Sequence, residues 1–400
     1  MKKFILFALL CLPLISFTQD KTDLLKAAES TISKGDTTTA IQQFRYILTK
    51  YPQSFTAAQR LAETYFILGD YHKAVQYCNI AIDITDNYQA DARKRIDEAP
   101  DSEKLENEKI SHYVSDRADI HHLKGNIRVR QYQRNEAIEE YRKSLELKPS
   151  TEVTIDLALA YLEVGLQRDA IQLLRNVIAQ EPHLAKGYFN LGNIYNKLQE
   201  PDSALANYKK AIKYDPELKW PYLYSGILYT REEKYDSALH NYDQFLAIDS
   251  TNEEVFFRRA VIHSELRNWK LAINDWHKVL NQDSDNAEAW RNQGLGYFQL
   301  NIYDSAIMSF DKALKYNPEE AYTYINRGYS YYLIDKPQQA LADLNHGLKG
   351  LNNYYLGYYF RALTYWRLGK NKEACDDLEQ AINLGMKEQN IDKKLFKKCF

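Results

Sequence analysis

The sequence predicts an all-α fold, a solenoid of about ten helix-turn-helix hairpins. Three observations carry this. First, alanines stand at 40, 74, 137, 170, 204, 238, 272, 306, 340 and 374, with spacings of 34, 63, 33 and then 34 throughout. Second, small residues run in parallel at Ala28, Ala62, Gly125, Ala158, Gly192, Gly226, Ala260, Gly294, Gly328 and Ala362. Third, glycine (15) and proline (10) are scarce in 400 residues, which disfavours a turn-rich all-β or disordered chain. A fixed period of this length is the mark of stacked supersecondary units.

The elements follow in order. Residues 1–18 read as an export signal: Met1-Lys2-Lys3, an apolar run from Phe4 to Phe17, then a polar exit with cleavage expected after Thr18. The run is short for a membrane span. Leu9 and Leu10 precede Cys11 where a lipid-attachment motif needs small residues, so anchoring there is disfavoured. Residues 19–86 form units one and two. Asn87 to Arg117 is an insertion dense in charges of both signs and broken by Pro100. It reads as two solvated helical extensions around a bend or a mobile loop, with a docking element as the alternative. Residues 118–385 form units three to ten, and 386–400 a basic capping helix over the last of them.

Close packing explains the two small-residue series, because helix axes approach only where side chains are small. Rings flank those contacts. Tyr65, Tyr161, Tyr195, Tyr229, Tyr297, Tyr331 and Tyr365 lie three residues beyond the first series, and Phe44, Tyr141, Tyr208, Tyr242, Trp276 and Phe310 four beyond the second. Asp202, Asp236 and Asp304 are expected to cap second helices. Pro52, Pro149, Pro182, Pro216 and Pro318 are expected to follow their ends.

The pattern resembles the tetratricopeptide repeat family over almost the whole chain beyond residue 18. Residues 185–218 match with Tyr188, Leu191-Gly192, Tyr195, Ala204, Tyr208, Ala211 and Pro216, and residues 287–320 with Trp290, Gly294, Tyr297, Ala306, Phe310, Ala313 and Pro318. Arg128 and His263 depart from the tyrosine position of their units. The resemblance implies a right-handed α-α superhelix whose first helices line a concave groove.

No catalytic or cofactor motif is present. The nine histidines show no H-E-x-x-H spacing, and phosphate-loop, nucleophile-elbow and C-x-x-C motifs are absent. His121 and His122 diverge on a helix. Asp283-Ser284-Asp285-Asn286 falls at an inter-unit turn without the glycine and glutamate of a calcium loop. The formal charge of −2, or −4 once Lys2 and Lys3 are removed with the leader, gives no basic field for nucleic acid. No metal or cofactor is expected, and no membrane-spanning segment. A disulfide between Cys375 and Cys399 is open to a chain exported to an oxidising compartment, and Cys78 occupies a core slot.

Carried over by register, the family's groove positions fall in units six to ten on Trp220, Leu223, Ile227 and Arg231; Phe257 and Val261; Arg291, Leu295 and Phe298; Tyr322, Ile325, Tyr329 and Tyr332; and Leu356, Tyr359, Trp366 and Arg367. Aromatic and arginine side chains dominate interface energies. Lys186, Asn193 and Lys197 offer part of a carboxylate clamp that units four and six do not continue. The expectation is a non-catalytic scaffold of a bacterial envelope, periplasmic or extracellular, that binds a protein or peptide. A glycan-binding or enzymatic accessory, with Glu254, Glu265 and Glu288 as candidate carboxylates, and a self-assembling solenoid are the alternatives.

Overall fold

The computed structural model describes residues 20–400, so the leader lies outside the described residues. Every regular element among them is helical. Two compact bodies are present, one ending at Tyr214 and one spanning Asp215–Phe400.

The first body holds α1 (Lys21–Ser33), α2 (Thr37–Lys50), α3 (Phe55–Ile67), α4 (Tyr71–Glu98), α5 (Glu103–Arg130), α6 (Arg134–Leu147), α7 (Thr151–Glu163), α8 (Gln167–Gln180), α9 (Ala185–Lys197) and α10 (Pro201–Tyr214). The second holds α11 (Lys219–Arg231), α12 (Tyr235–Ile248), α13 (Glu253–Glu265), α14 (Trp269–Gln282), α15 (Ala287–Gln299), α16 (Tyr303–Tyr316), α17 (Ala321–Leu333), α18 (Pro337–Gly350), α19 (Tyr355–Arg367), α20 (Asn371–Asn383) and α21 (Lys393–Cys399). Within each body, every first helix packs on its own second helix, and every second helix packs on the first helix of the next hairpin.

The small residues are where the helices meet. All ten alanines of the second-helix series are completely buried. At the first-helix positions, a Cβ placed on Gly192 would lie 2.6 Å from the Tyr208 ring and 3.2 Å from the Ala204 carbonyl oxygen. Glycine there admits both the ring and the opposing backbone.

The hairpin turns share one backbone device. Gly35, Gly69, Gly165 and Gly369 adopt positive φ, and Tyr132, Gln199, Glu233, Arg267, Asn301 and Asp335 adopt it (55° to 61°) at the corresponding place in their units. A side chain in this left-handed region costs about 1–2 kcal/mol, partly offset by the smaller conformational entropy of a non-glycine unfolded chain. Glu233→Gly is therefore expected to stabilise the second body by about 0.5–1 kcal/mol. Asn301→Gly should gain less, since asparagine tolerates the conformation. Chemical denaturation of the two variants checks the ordering.

This turn also corrects the expected caps. Asp202, Asp236 and Asp304 are each the second residue of their helix and do not occupy the capping position. The left-handed residue ends the turn early enough for helix to begin at Pro201, Tyr235 and Tyr303. The aspartates still favour the positive end of the helix dipole. Capping carboxylates stand instead at Asp36 and Asp70, which accept from the Thr39 and Lys73 amides at 3.0 and 3.1 Å. The five prolines each lie two residues beyond the end of a second helix.

Residues 87–117 continue α4 and α5, each 28 residues long, around a 3-10 turn at Pro100–Ser102. Tyr88 and Tyr113 pack with centroids 4.1 Å apart and planes tilted by 32°, and Ala92 is completely buried. Arg95 and Lys109 grip Glu106 at 2.8 and 3.1 Å and hold its carboxyl below the usual range.

Where this arm joins unit three, Glu140 of α6 is buried against His121 Nδ1 (2.6 Å) and Lys124 Nζ (3.1 Å) of α5. Burial alone would raise its carboxyl, but these bonds outweigh it and bring the pKa from 4.5 to about 2. A carboxylate with a depressed folded-state pKa contributes stability above its unfolded value and loses it as pH falls toward the folded one. Glu140→Gln should cost about 2 kcal/mol at pH 7, after allowance for partial solvent screening. The gap from the parent should close between pH 4.5 and about 2. Thermal melts across that range check it.

Candidate partner-binding face

The first helices of the second body, α11, α13, α15, α17 and α19, carry the residues assigned by register to a binding face. The structure sorts them into three groups.

One group is core. Leu223 and Ile325, expected in the groove, are 3% and 1% exposed. Ile325 packs directly on Gly347 of α18, which leaves room for it. Trp366 is half-buried against the apolar cluster of the last unit.

A second group satisfies itself. Tyr329 of α17 stacks face to face on Phe360 of α19, with centroids 3.7 Å apart and planes 4° from parallel. It also meets Tyr332 at 5.9 Å and Phe298 of α15 at 5.8 Å. Burial, with the neighbouring tyrosines, pushes the Tyr329 phenol up to about 12. The Arg367 guanidinium lies 4.2 Å above the Tyr332 ring and donates to the Tyr332 carbonyl oxygen at 2.9 Å. Tyr359 meets Phe360 at 6.1 Å, and its hydroxyl accepts from the Asp392 amide at 3.0 Å. These rings form a continuous ladder across units eight to ten. Phe360, at its centre, was missed because its place in the unit is not one of the family's groove positions.

The third group is open. Trp220 is 39% exposed, edge-on to Phe245 (5.9 Å) and with Lys219 Nζ 5.0 Å from its ring centroid. Arg231 is exposed at the end of α11. Tyr322 is 46% exposed, edge-on to Tyr354. Phe257 of α13 packs edge-on to Trp276 (4.9 Å) and also lines a hollow of about 420 Å³. Thr230, Tyr242, Glu253, Glu254, Arg258 and Val261 complete that hollow. Arg258 pairs with Glu254 at 2.6 Å on its rim. Arg291 lines a smaller hollow of about 240 Å³ with Glu288, Asn317, Glu320 and Thr323. The face therefore offers an apolar recess bordered by a charge pair, suited to an inserted side chain.

The remaining candidates are placed plainly. Cys375 and Cys399 form a disulfide that ties α21 to α20. Cys78 is a fully buried free thiol, pushed up to about 12 by burial. Asn193, in the partial clamp, accepts from the Tyr208 hydroxyl at 2.9 Å and is already engaged. Asn286 caps α15 by accepting from the Ala289 amide. His121 pairs with Glu140 of α6, and His122 with Asp156 of α7 at 2.7 Å, so the two rings serve different helices. Among the described residues no helix is long and apolar enough to cross a membrane.

Tetratricopeptide repeat models match residues 118–151, 185–218, 287–320 and 356–384, four of the ten hairpins in register with the structure. The chain contains tetratricopeptide repeats. A family of unknown function, DUF6584, matches residues 19–123 of the same chain. No curated protein matches it. Similar solved structures include YrrB, described as a TPR protein with an unusual peptide-binding site, at 22% identity over 46% of this chain and 95% of that one (TM-score 0.44). A tetratricopeptide repeat protein from Parabacteroides merdae is 21% identical over 62% and 98% (TM-score 0.40). A chain in the structure of the APC/C hetero-tetramer Cut9–Hcn1 is 16% identical over 96% of this chain and 90% of that one (TM-score 0.38).

Proposed function

We propose that this protein is a non-catalytic scaffold of the bacterial cell envelope that binds a protein or peptide on the first-helix face of residues 215–400. The carrying observation is the recess beside Phe257. Its apolar wall is exposed while the aromatic ladder of units eight to ten is spent on internal packing, so contact falls on Trp220, Arg231, Phe257, Val261 and Tyr322. The repeats support the reading, since tetratricopeptide repeats generally serve as protein-interaction scaffolds. The leader-like start at Met1-Lys2-Lys3 supports export.

The test uses immobilised protein and solubilised envelope extract. The parent and Met308→Ala, altered at an exposed second-helix residue, should retain the same protein. Val261→Asp, which places a charge in the recess, should lose it while melting normally. Equal retention by Val261→Asp would overturn the assignment of the face. For export, the protein recovered from the envelope fraction should begin at Gln19; a start at Met1 in the cytosolic fraction would overturn that part.

A further inference from the structure

The end of the solenoid carries a feature that partner binding on the first helices does not use. Helix α21 is two turns long and cleanly divided. Leu395 is completely buried, Phe396 packs on the apolar cluster of the last unit, and Cys399 is bonded to Cys375. Lys393, Lys394, Lys397 and Lys398 are all exposed. At 100° per residue the lysines fall in an arc of about 140°, opposite the three anchoring side chains. None of the four forms an ion pair among the described residues. The nearest acid in sequence, Asp392, is occupied in capping the helix through the Lys394 and Leu395 amides (2.9 and 3.0 Å). Phe400 extends from this surface 66% exposed, its ring 5.0 Å from that of Phe396.

A capping helix needs a polar outer face, but charges of either sign would serve that purpose. This one presents a single sign. A seven-residue helix does not persist alone in water. Here the disulfide, the buried Leu395, the Asp392 cap and the Asp392 amide bond to Tyr359 hold it formed, so the lysines are arranged before any partner arrives.

We propose that α21 is a docking element for a phosphate-bearing anionic lipid surface. Lysine is a compact point charge suited to a laterally mobile layer of headgroups, whereas a fixed phosphate or carboxylate is matched better by the planar fork of arginine, and this helix contains no arginine. The exposed Phe400 ring beside the lysines matches the pairing of basic and aromatic residues at a bilayer interface. The attraction is expected to be roughly fivefold per lysine and to weaken with salt. It would hold the solenoid by its end and leave the first-helix face free.

The experiment is vesicle sedimentation of the full chain at 50 and 500 mM salt. The parent is compared with a variant in which all four lysines are glutamine, a variant in which all four are arginine, and Cys375→Ser/Cys399→Ser. Vesicles are phosphatidylcholine with or without 30% phosphatidylglycerol. Because every variant carries the same leader, leader binding cancels. The glutamine variant should lose at least about a hundredfold in affinity for the anionic vesicles, the arginine variant should retain most of it, and the cysteine variant should fall between. High salt should reproduce most of the loss. Equal binding by parent and glutamine variant, equal binding to both vesicle types, or no binding would overturn the proposal. Displacement by 10 mM inorganic phosphate would identify a free-phosphate site instead, and tighter binding to duplex DNA than to vesicles would identify a nucleic-acid surface; either replaces the lipid assignment.

Discussion

Asp275→Ala should destabilise the second body by about 3 kcal/mol, among the largest effects of any single substitution outside the packed rings. Asp275 of α14 has only 2% of its side chain exposed and receives two bonds from Arg259 of α13, at 2.7 and 2.8 Å. The same arginine reaches back to Asp243 of α12 at 2.6 Å, so one guanidinium joins its own hairpin to the preceding one. Removing Asp275 leaves Arg259 largely buried with one partner of two. The retained Asp243 bond places the cost at the low end for a broken buried pair. Replacing the pair together, Arg259→Met with Asp275→Leu, should recover most of the loss, because a buried ion pair is worth little against apolar residues of similar volume. Urea denaturation of the two single variants and the double closes the cycle. If Asp275→Ala is neutral, the charge pair is not holding the hairpins.

The same bridge recurs. Arg327 joins Asp343 and Asp311, and Arg361 joins Asp377 and Asn345. Lys124 and Glu140 occupy the equivalent places in unit three. Unit eight departs, with Gln293 and Ser309 at 3.2 Å and the Gln293 amide nitrogen unsatisfied. The arginines, Lys124 and Gln293 stand immediately before the small residue of a first helix; their partners in the same hairpin stand three beyond the alanine of the second, and Asp243, Asp311 and Asn345 five beyond the alanine of the preceding unit. Charged residues in a buried register were visible in the sequence, but the 16-residue offset that pairs them depends on how the two helices cross.

That distinction runs through the whole molecule. The 34-residue period specified the hairpins because its signals, an alanine and a small residue, act within one unit. The turn could not be read at Glu233 or Arg267, since the left-handed requirement is placed on the backbone and the side chains there do not advertise it. The candidate face was legible only as a list of positions. Whether Tyr329 is open or covered depends on Phe360, 31 residues later, and on Phe298, 31 earlier. Trp220 and Tyr322 sit at equivalent places, each meets one ring edge-on, and both stay open. Register names which helix face a ring occupies; the neighbouring unit decides whether it is spent.

The second large effect is expected at Gly226. A Cβ there would lie 2.5 Å from Cε1 and 2.9 Å from Cδ1 of Tyr242, whose ring is completely buried and cannot swing away. Gly226→Ala should therefore cost about 2–3 kcal/mol through overpacking, despite alanine's higher helix propensity. The chain compensates volume across this contact in its own repeats. Every unit with tyrosine at the facing position, 141, 208 or 242, has glycine opposite, at 125, 192 or 226. Where the facing residue is Cys78, Leu174 or Leu378, the first helix carries alanine at 62, 158 or 362; Leu344 is the exception and faces Gly328. Combining Gly226→Ala with Tyr242→Leu should thus cost less than the sum of the single changes, by about 1–2 kcal/mol. Additive losses would mean that the glycine is required by the backbone and not by the ring. Phe44 and Trp276 face Ala28 and Ala260, so a large ring alone does not exclude alanine. The tyrosine hydroxyl narrows the choice: Tyr242 must keep its ring where its oxygen meets Thr230 at 3.2 Å, and Tyr208 where its hydroxyl donates to Asn193 at 2.9 Å. A ring tethered at its far end has less freedom to move off an added methyl. The accompanying Tyr242→Phe variant isolates that tether, and with it Gly226→Ala should be better tolerated than in the parent.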